Sequence, residues 1–412
     1  MTEVPLPKRA SIFTALRFRD FRLLWVGLLV SNLGSWMQFT AMGYLVAQLA
    51  GTPHRAALYL GILGAARAVP VLVLSPFAGV VADELPRRRV LLVTNSVMAL
   101  AALLLAVLAT FHRLDMVALV LLSALNAAAN AFDAPTRQSW VPMLVDRRYV
   151  GNAVGLNSVA FNAPAVLGPA LAGILIVWVG VAGSFYVNAV ATLAVVVAVQ
   201  MMHPSPPSVK RREPMFEAMR QGIAFIAGHD VLRWIVLAFL ITAIFARPYG
   251  QLIPALTVNV LHAGARGLGW AVSAAGIGGF GGAMATAYFA QQNKRSKLWL
   301  TAGLTMSAGV LFLGIVTKLI PALPLLLIIG VGTMGLLGAT NTLIQILSPD
   351  AVRGRAISVY TMIAIGIVPL GSFVDGSIAA AIGLQHLFIL SGSICLATFL
   401  AIWIFKPKVR TV

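Results

Sequence analysis

The strongest constraint on this chain is a rhythm. Stretches of roughly 20 mostly apolar residues, each long enough to cross about 30 Å of hydrocarbon, alternate with short polar segments throughout. Twelve such stretches fall at roughly 23–49, 57–82, 90–111, 116–142, 151–179, 183–202, 233–260, 267–291, 298–317, 322–347, 355–382 and 385–405. Hydrocarbon offers no partner to a backbone N–H or C=O, so stretches of this length satisfy themselves only as helices. The expected fold class is therefore an all-α membrane protein of twelve transmembrane helices. Composition agrees: 59% of residues are apolar and 10% charged, against about 25% charged in soluble chains.

A net charge of +18 would also suit a nucleic-acid binder, so the placement of the charges decides. They sit between the apolar stretches, and on one side of them. Of the 30 lysines and arginines, 24 lie in the two termini and in the loops that would share their side, including Arg87, Arg88, Arg89, Lys210, Arg211, Arg212, Arg353 and Arg355. The alternate loops hold only Arg55, Arg113, Arg266 and Lys318. By the positive-inside rule both termini face the cytoplasm, and no nucleic acid is expected as a partner. The first stretch is too long and too polar within to be a cleaved leader. Cys395 is alone, so neither a disulfide nor a thiolate metal site is expected. The six histidines fall at loops or stretch ends without metal-ligand spacing, and no phosphate-cradling Gly-x-x-x-x-Gly-Lys segment is present. Neither catalytic residues nor a cofactor or metal is expected.

The longest polar segment, 203–232, divides the stretches six and six. It carries Pro204, Pro206, Pro207 and Lys210-Arg211-Arg212, followed by an amphipathic helical pattern. The expected domains are an N-terminal bundle (1–202), this linker and a C-terminal bundle (233–412). The halves echo each other: Gly151-x-Ala153 recurs as Gly354-x-Ala356 and Gly168 as Gly371, all 203 residues on. Gln138 and Pro142 recur as Gln345 and Pro349, 207 residues on. A parallel repeat of six spans follows.

Between the second and third stretches, Gly79-Val-Val-Ala-Asp83-Glu-Leu-Pro-Arg87-Arg88-Arg89 resembles the signature of the major facilitator superfamily, with Glu84 and Pro86 departing from it. The segment Gly168-Pro169-Ala-Leu-Ala-Gly173 is similar to the Gly-Pro motif of facilitator antiporters. Leu16-Arg17-Phe18-Arg19-Asp20-Phe21-Arg22, Ser31-Asn32-Leu-Gly34-Ser-Trp36-Met-Gln38 and Arg353-Gly354-Arg355-Ala-Ile-Ser358 resemble the bacterial branch of enterobactin exporters and macrolide-efflux proteins. That resemblance implies two six-helix bundles in the bacterial inner membrane, working as a monomer and exporting an amphipathic solute at the expense of a proton gradient. It also implies that Gly79, Asp83, Arg87 and Arg88 latch the cytoplasmic side, with Asp133 as a partner for the arginines. The plainer reading of the arginines is as topology anchors, and of the Gly-Pro motif as helix packing.

Charges at membrane depth cost at least about 2.5–3.5 kcal/mol on insertion scales, which makes Arg67, Asp133, Arg247 and Asp375 functional candidates. Arg67 and Asp375 lie at similar expected depth, so a gating pair that forms when the outer side closes is expected; a structural pair, or an Asp375 facing a wet vestibule, is the alternative. Arg247, followed by Pro248 in a bent helix, suits an anionic solute. Gln251 lies one turn on, and Gln38 is placed to oppose it. Asn126, Asn130 and Asp133 share one helical face, as do Asn341 and Gln345. With Asn32 and Trp36 these complete the expected cavity lining, although interhelical hydrogen bonding accounts equally for any single Asn. The expected activity is proton-coupled export of a siderophore or drug. A lysophospholipid or other lipid, its phosphate held by Arg247, is the second reading.

Overall fold

A computed structural model describes residues 13–203, 215–289 and 295–410. Helices α1 (Arg19–Ala50), α2 (Pro53–Glu84), α3 (Arg87–Thr110) and α4 (Met116–Trp140) come first. The helical stretch Val150–Gln200 breaks at Gly180, where φ is 74° and ψ −179°, and so comprises α5 (150–179) and α6 (181–200). The linker helix α7 spans Met215–Gly228. The next span, α8, is interrupted: Leu232–Phe245, Tyr249–Ala255 and a π-helical turn Leu256–Val260. Then follow α9 (Gly264–Phe289), α10 (Arg295–Leu313) and α11 (Leu319–Leu347). The span α12 is also compound, Asp350–Thr361, a π-helical turn Met362–Ile367 and Val368–Ile382, and α13 is Leu384–Phe405.

Ten described segments are long and apolar enough to cross a membrane by length and composition. One of them, Arg147–Gln200, holds both α5 and α6. The helix α1 is long enough but diluted by Ser31, Asn32, Ser35 and Gln38. Counting it and the split, the described residues supply twelve spans. Local chemistry sets their ends. Thr52 accepts the Arg55 N–H at 3.4 Å ahead of Pro53, and Asp115 accepts the Ala118 N–H at 2.8 Å. The turns between α5 and α6 and between α12 and α13 need a left-handed residue, and Gly180 and Gly383 (φ 90°) provide it. These two glycines are again 203 residues apart, so the two halves reverse direction in the same register.

Within the first half α1 packs on the α5–α6 pair and α2 on α4; within the second, α11 packs on α9 and α10, and α10 on α13. The repeat is visible in how its glycines are used. At Gly168 a Cβ would lie 2.6 Å from Trp36 Cβ of α1, and at Gly371 it would lie 2.7 Å from the Ala243 carbonyl of α8. Each glycine thus lets the fifth helix of its half lie against the first. Large apolar side chains such as Val117, Leu121, Val190, Ile320 and Trp178 are exposed on the outside, a surface suited to lipid.

The halves meet along two seams. Gly173 and Pro169 of α5 interlock with Gly269 of α9, and Ser273 donates to the Val166 carbonyl at 2.7 Å. Ala57, Gly61 and Gly64 of α2 face Gly376, Ser372 and Pro369 of α12, and Leu72 abuts Gly366. Both seams start at the end that carries the Gly180 and Gly383 turns and stop near mid-depth. Beyond that the same helical stripes continue as Asn162 and Ser158 on α5, Phe280 and Met284 on α9, and Ile365 and Thr361 on α12, all exposed. The molecule is closed at the Gly180 end and open at the end rich in arginine.

Candidate substrate cavity

The second half presents Arg247 where α8 breaks. Helix Leu232–Phe245 ends just before it, Pro248 has no N–H to continue the ladder, and the Arg247 N–H reaches back five residues to the Thr242 carbonyl at 2.8 Å. Nη2 of Arg247 donates to the Ala364 carbonyl at 3.1 Å, inside the π-helical turn of α12. Nε and Nη1 are buried and have no partner among the described residues. The guanidinium lies 5.5 Å from the Phe239 ring centroid, and Phe239 stacks on Tyr360 at 5.3 Å with the planes 10° apart. The Tyr360 hydroxyl donates to the Leu337 carbonyl at 3.1 Å. On the neighbouring helix α11, Asn341 accepts from Gln345. Arg247 therefore sits in an aromatic and hydroxyl cage with two donors to spare.

The first half holds a second polar site. An open-mouthed space of about 400 Å³, part of it continuous with solvent, is lined by Ser35, Gln38, Asn126, Asn188 and Arg67, with Phe39, Met42 and Ser123. Arg67 lies over Phe39 at 5.2 Å. Asn188 donates to Gln38 at 2.8 Å, and its Oδ1 accepts from Ser35 at 3.3 Å and Thr192 at 3.4 Å. Nothing in the sequence singles out Asn188 and Ser123 as lining this pocket, nor Phe239 and Tyr360 as lying beside Arg247. Single polar residues inside apolar stretches were the available signal.

Several sequence expectations are corrected. Arg67 and Asp375 are not paired, although the end they were to lock is closed. Gly61 opposite Gly376 fixes the register of α2 on α12, Arg67 lies 14 residues from the start of α2, and Asp375 lies 7 from the end of α12. Seven residues of rise is about 10 Å, too far for an ion pair. The Asp375 Oδ1 has no hydrogen-bond partner among the described residues. Gln38 accepts from Asn188 inside its own half, and Gln251 is half-buried just past the break. Asp133 is not the partner of Arg87 or Arg88. It pairs with Arg137 one turn on at 3.3 Å and accepts from Asn95 at 2.7 Å and Thr94 at 3.3 Å. Arg87 donates to Ser139 at 3.1 Å. Arg88 caps α6, donating to the carbonyls of Val199 at 3.1 Å and Gln200 at 2.6 Å.

Asn32 donates to the Ala160 carbonyl at 3.0 Å and so serves α1–α5 packing. Trp36 packs across Gly168 and edge-on to Phe39 at 5.6 Å. Asn130 and Gln345 are exposed toward the open end, and Asn126 lines the pocket. Gly79 and Asp83 belong to the last turns of α2, but their side-chain surroundings lie outside the described residues.

Two bundles of six helices, joined by a linker and meeting along two seams beside a polar cavity, define the architecture of a membrane carrier. The comparisons specify which. Residues 10–411 match the transmembrane secretion effector family, and the chain belongs to it; this is a multi-pass membrane transporter of the major facilitator type, and its relatives are transporters rather than enzymes. The chain is 27% identical over 402 residues to the multidrug efflux pump Tap of Mycolicibacterium fortuitum, covering 94% of this chain and 96% of the relative. It is 25% identical to the staphyloferrin A transporter of Staphylococcus aureus, over 88% of this chain and 91% of the relative. Among solved structures it resembles a bacterial homologue of the iron transporter ferroportin in an inward-facing state, with a TM-score of 0.71, 18% identity, and coverage of 93% and 98%.

Proposed function

We propose that the protein is a proton-coupled exporter that moves an amphipathic, acidic small molecule of the siderophore or drug kind by alternating access. The observation that carries this reading is Arg247, buried at a helix break with two unpartnered donors beside stacked aromatic rings. A planar guanidinium in such a site is suited to a carboxylate or similar oxyanion, and the rings to an apolar body. The likeness to a multidrug efflux pump supports outward movement, and the likeness to the staphyloferrin A transporter supports a cargo of the siderophore kind.

On this reading residues 1–202 and 233–412 are the moving bundles, 203–232 the tether, and the arginine-rich end with both termini is cytoplasmic in a bacterial inner membrane. The chain works as a monomer among membrane lipids. The open end is then the loading side. Asp375, 1% exposed and one residue from the seam contact Gly376, is the proton carrier. An unpaired buried carboxylate costs several kcal/mol when ionised, so its protonation and the packing of α12 are coupled.

The test is uptake of acidic siderophores and drugs into inverted vesicles with an imposed pH gradient. Transport that stops on collapse of the gradient, and that becomes gradient-independent in Asp375→Asn, is the expected result. Transport that survives collapse in the unaltered protein, or follows sodium instead, rejects the coupling. A lipid is the competing cargo: lysophospholipid flux lost in Arg247→Ala, with no response to acidic drugs or siderophores, replaces the proposed substrate.

A further inference from the structure

The pocket around Arg67 is not explained by a single-headed anion at Arg247. Its guanidinium rests one face on Phe39, its helix shows no carboxylate within ion-pair distance of it among the described residues, and the side chains around it are neutral. The neutral groups are already largely committed: Gln38 to Asn188, Asn188 to Ser35 and Thr192, and Ser123 to Met42. Among the described residues the Asn126 amide and the Arg67 guanidinium make no hydrogen bond, and both face the same solvent-connected space. A cation in a half-closed cavity needs an anion, and this one has none built in.

The two arginines belong to opposite halves and flank the same seam. Arg67 lies five residues before Leu72, about 7.5 Å of helical rise; Leu72 abuts Gly366 of α12, and two residues away the Ala364 carbonyl holds Arg247. The segment following Arg247 also packs on α1 and α2. Neither acidic group predicted at this depth neutralises the region: Asp375 lies about 10 Å of helical rise from Arg67, and Asp133 is bound to Arg137.

We infer that Arg67, with Asn126, forms a second oxyanion subsite, and that the transported solute carries two acidic groups, one held by each bundle. This rests on the reading of Arg247 as the first anion site. A solute that bridges the halves is held only while both arginines face one cavity, which couples its release to the movement of one bundle against the other.

The test uses the full-length purified protein and two α,ω-dicarboxylates, adipate and sebacate, each against its monomethyl ester, measured by calorimetry. Because a charge-assisted pair contributes about 1.5–3 kcal/mol, the better-fitting diacid is expected to bind about tenfold or more tightly than its ester. In Arg67→Gln the diacid should fall to the affinity of the ester while the ester is unchanged; in Arg247→Gln ester binding should be lost. Equal binding of diacid and ester to the unaltered protein, no binding of the diacid, or a diacid preference that survives Arg67→Gln, overturns the second subsite. Ester binding unchanged in Arg247→Gln instead overturns the first site. Phenylglyoxal labelling of the unaltered protein needs no variant: the diacid should protect both Arg67 and Arg247, the ester Arg247 alone. Labelling of Arg67 that the diacid leaves unchanged overturns the proposal.

Discussion

At the scale of single residues, the buried charges divide by whether the protein itself supplies their partner. Asp133 is 2% exposed and satisfied three ways, by Arg137, Asn95 and Thr94, and Arg137 also lies over Phe161 at 4.5 Å. This is a structural network near the open end. Asp133→Ala would leave Arg137 buried without its counter-ion, and a loss of about 3–5 kcal/mol is expected, read as a lowered melting temperature in detergent. A variant that melts unchanged would mean that Arg137 reaches water. Arg247 differs, since two of its donors have no protein partner among the described residues. Arg247→Ala should therefore cost transport far more than stability. A melting temperature that falls as far as in Asp133→Ala would make Arg247 a structural residue.

At the scale of elements, glycine decides which helices touch. A Cβ at Gly376 would meet the Ala57 carbonyl at 2.5 Å, and one at Gly269 the Pro169 carbonyl at 2.8 Å, backbone atoms that cannot step aside. Gly376→Val should prise α12 from α2 and populate the state open at the Gly180 end. In a Cys395→Ala background, a cysteine placed at Ser35 should then react faster with an impermeant thiol reagent added from that side. An unchanged rate would mean that the seam does not set the equilibrium. The tail shows a milder device. Asp230, before α8, is held below the usual carboxylate range by the Lys408 ammonium at 2.7 Å and by Arg233. Because its pKa is lowered in the folded state, the tether is intact above the ordinary carboxylate titration and is lost as pH falls through the lowered value. Carboxyl NMR should show that titration move up in Lys408→Ala.

At the scale of the whole molecule, transport requires the two seams to part. A Cβ at Gly64 would lie 3.0 Å from Ser372 Cβ, so a small outward shift of the seam reaches the about 3.5–4.5 Å that a disulfide spans. The double variant Gly64→Cys, Ser372→Cys should lose transport under oxidation and regain it on reduction. Transport by the oxidised, crosslinked protein would show that this seam stays shut throughout the cycle.

What the sequence determined by itself was everything that follows from local periodicity and local charge: twelve spans, their order, a fold of two repeated halves, and the excess of arginine at one end. Those features were legible because the length of an apolar stretch and the flanking cations act within one helix or one turn. Helix breaks were half legible; Pro248 announced the interruption of α8, but nothing local marked the π-helical turn Met362–Ile367 that receives Arg247. The partners of the polar residues were settled only by the tertiary structure. Asn32 and Gln38 turned into interhelical bonds, Asp133 chose Arg137 on its own helix, and Arg67 missed Asp375 by about two turns because Gly61 and Gly376 fix how α2 lies on α12. A polar side chain in hydrocarbon must find a partner, but which one depends on the register and rotation of neighbouring helices. Those are set by contacts hundreds of residues apart, which no window along the chain contains.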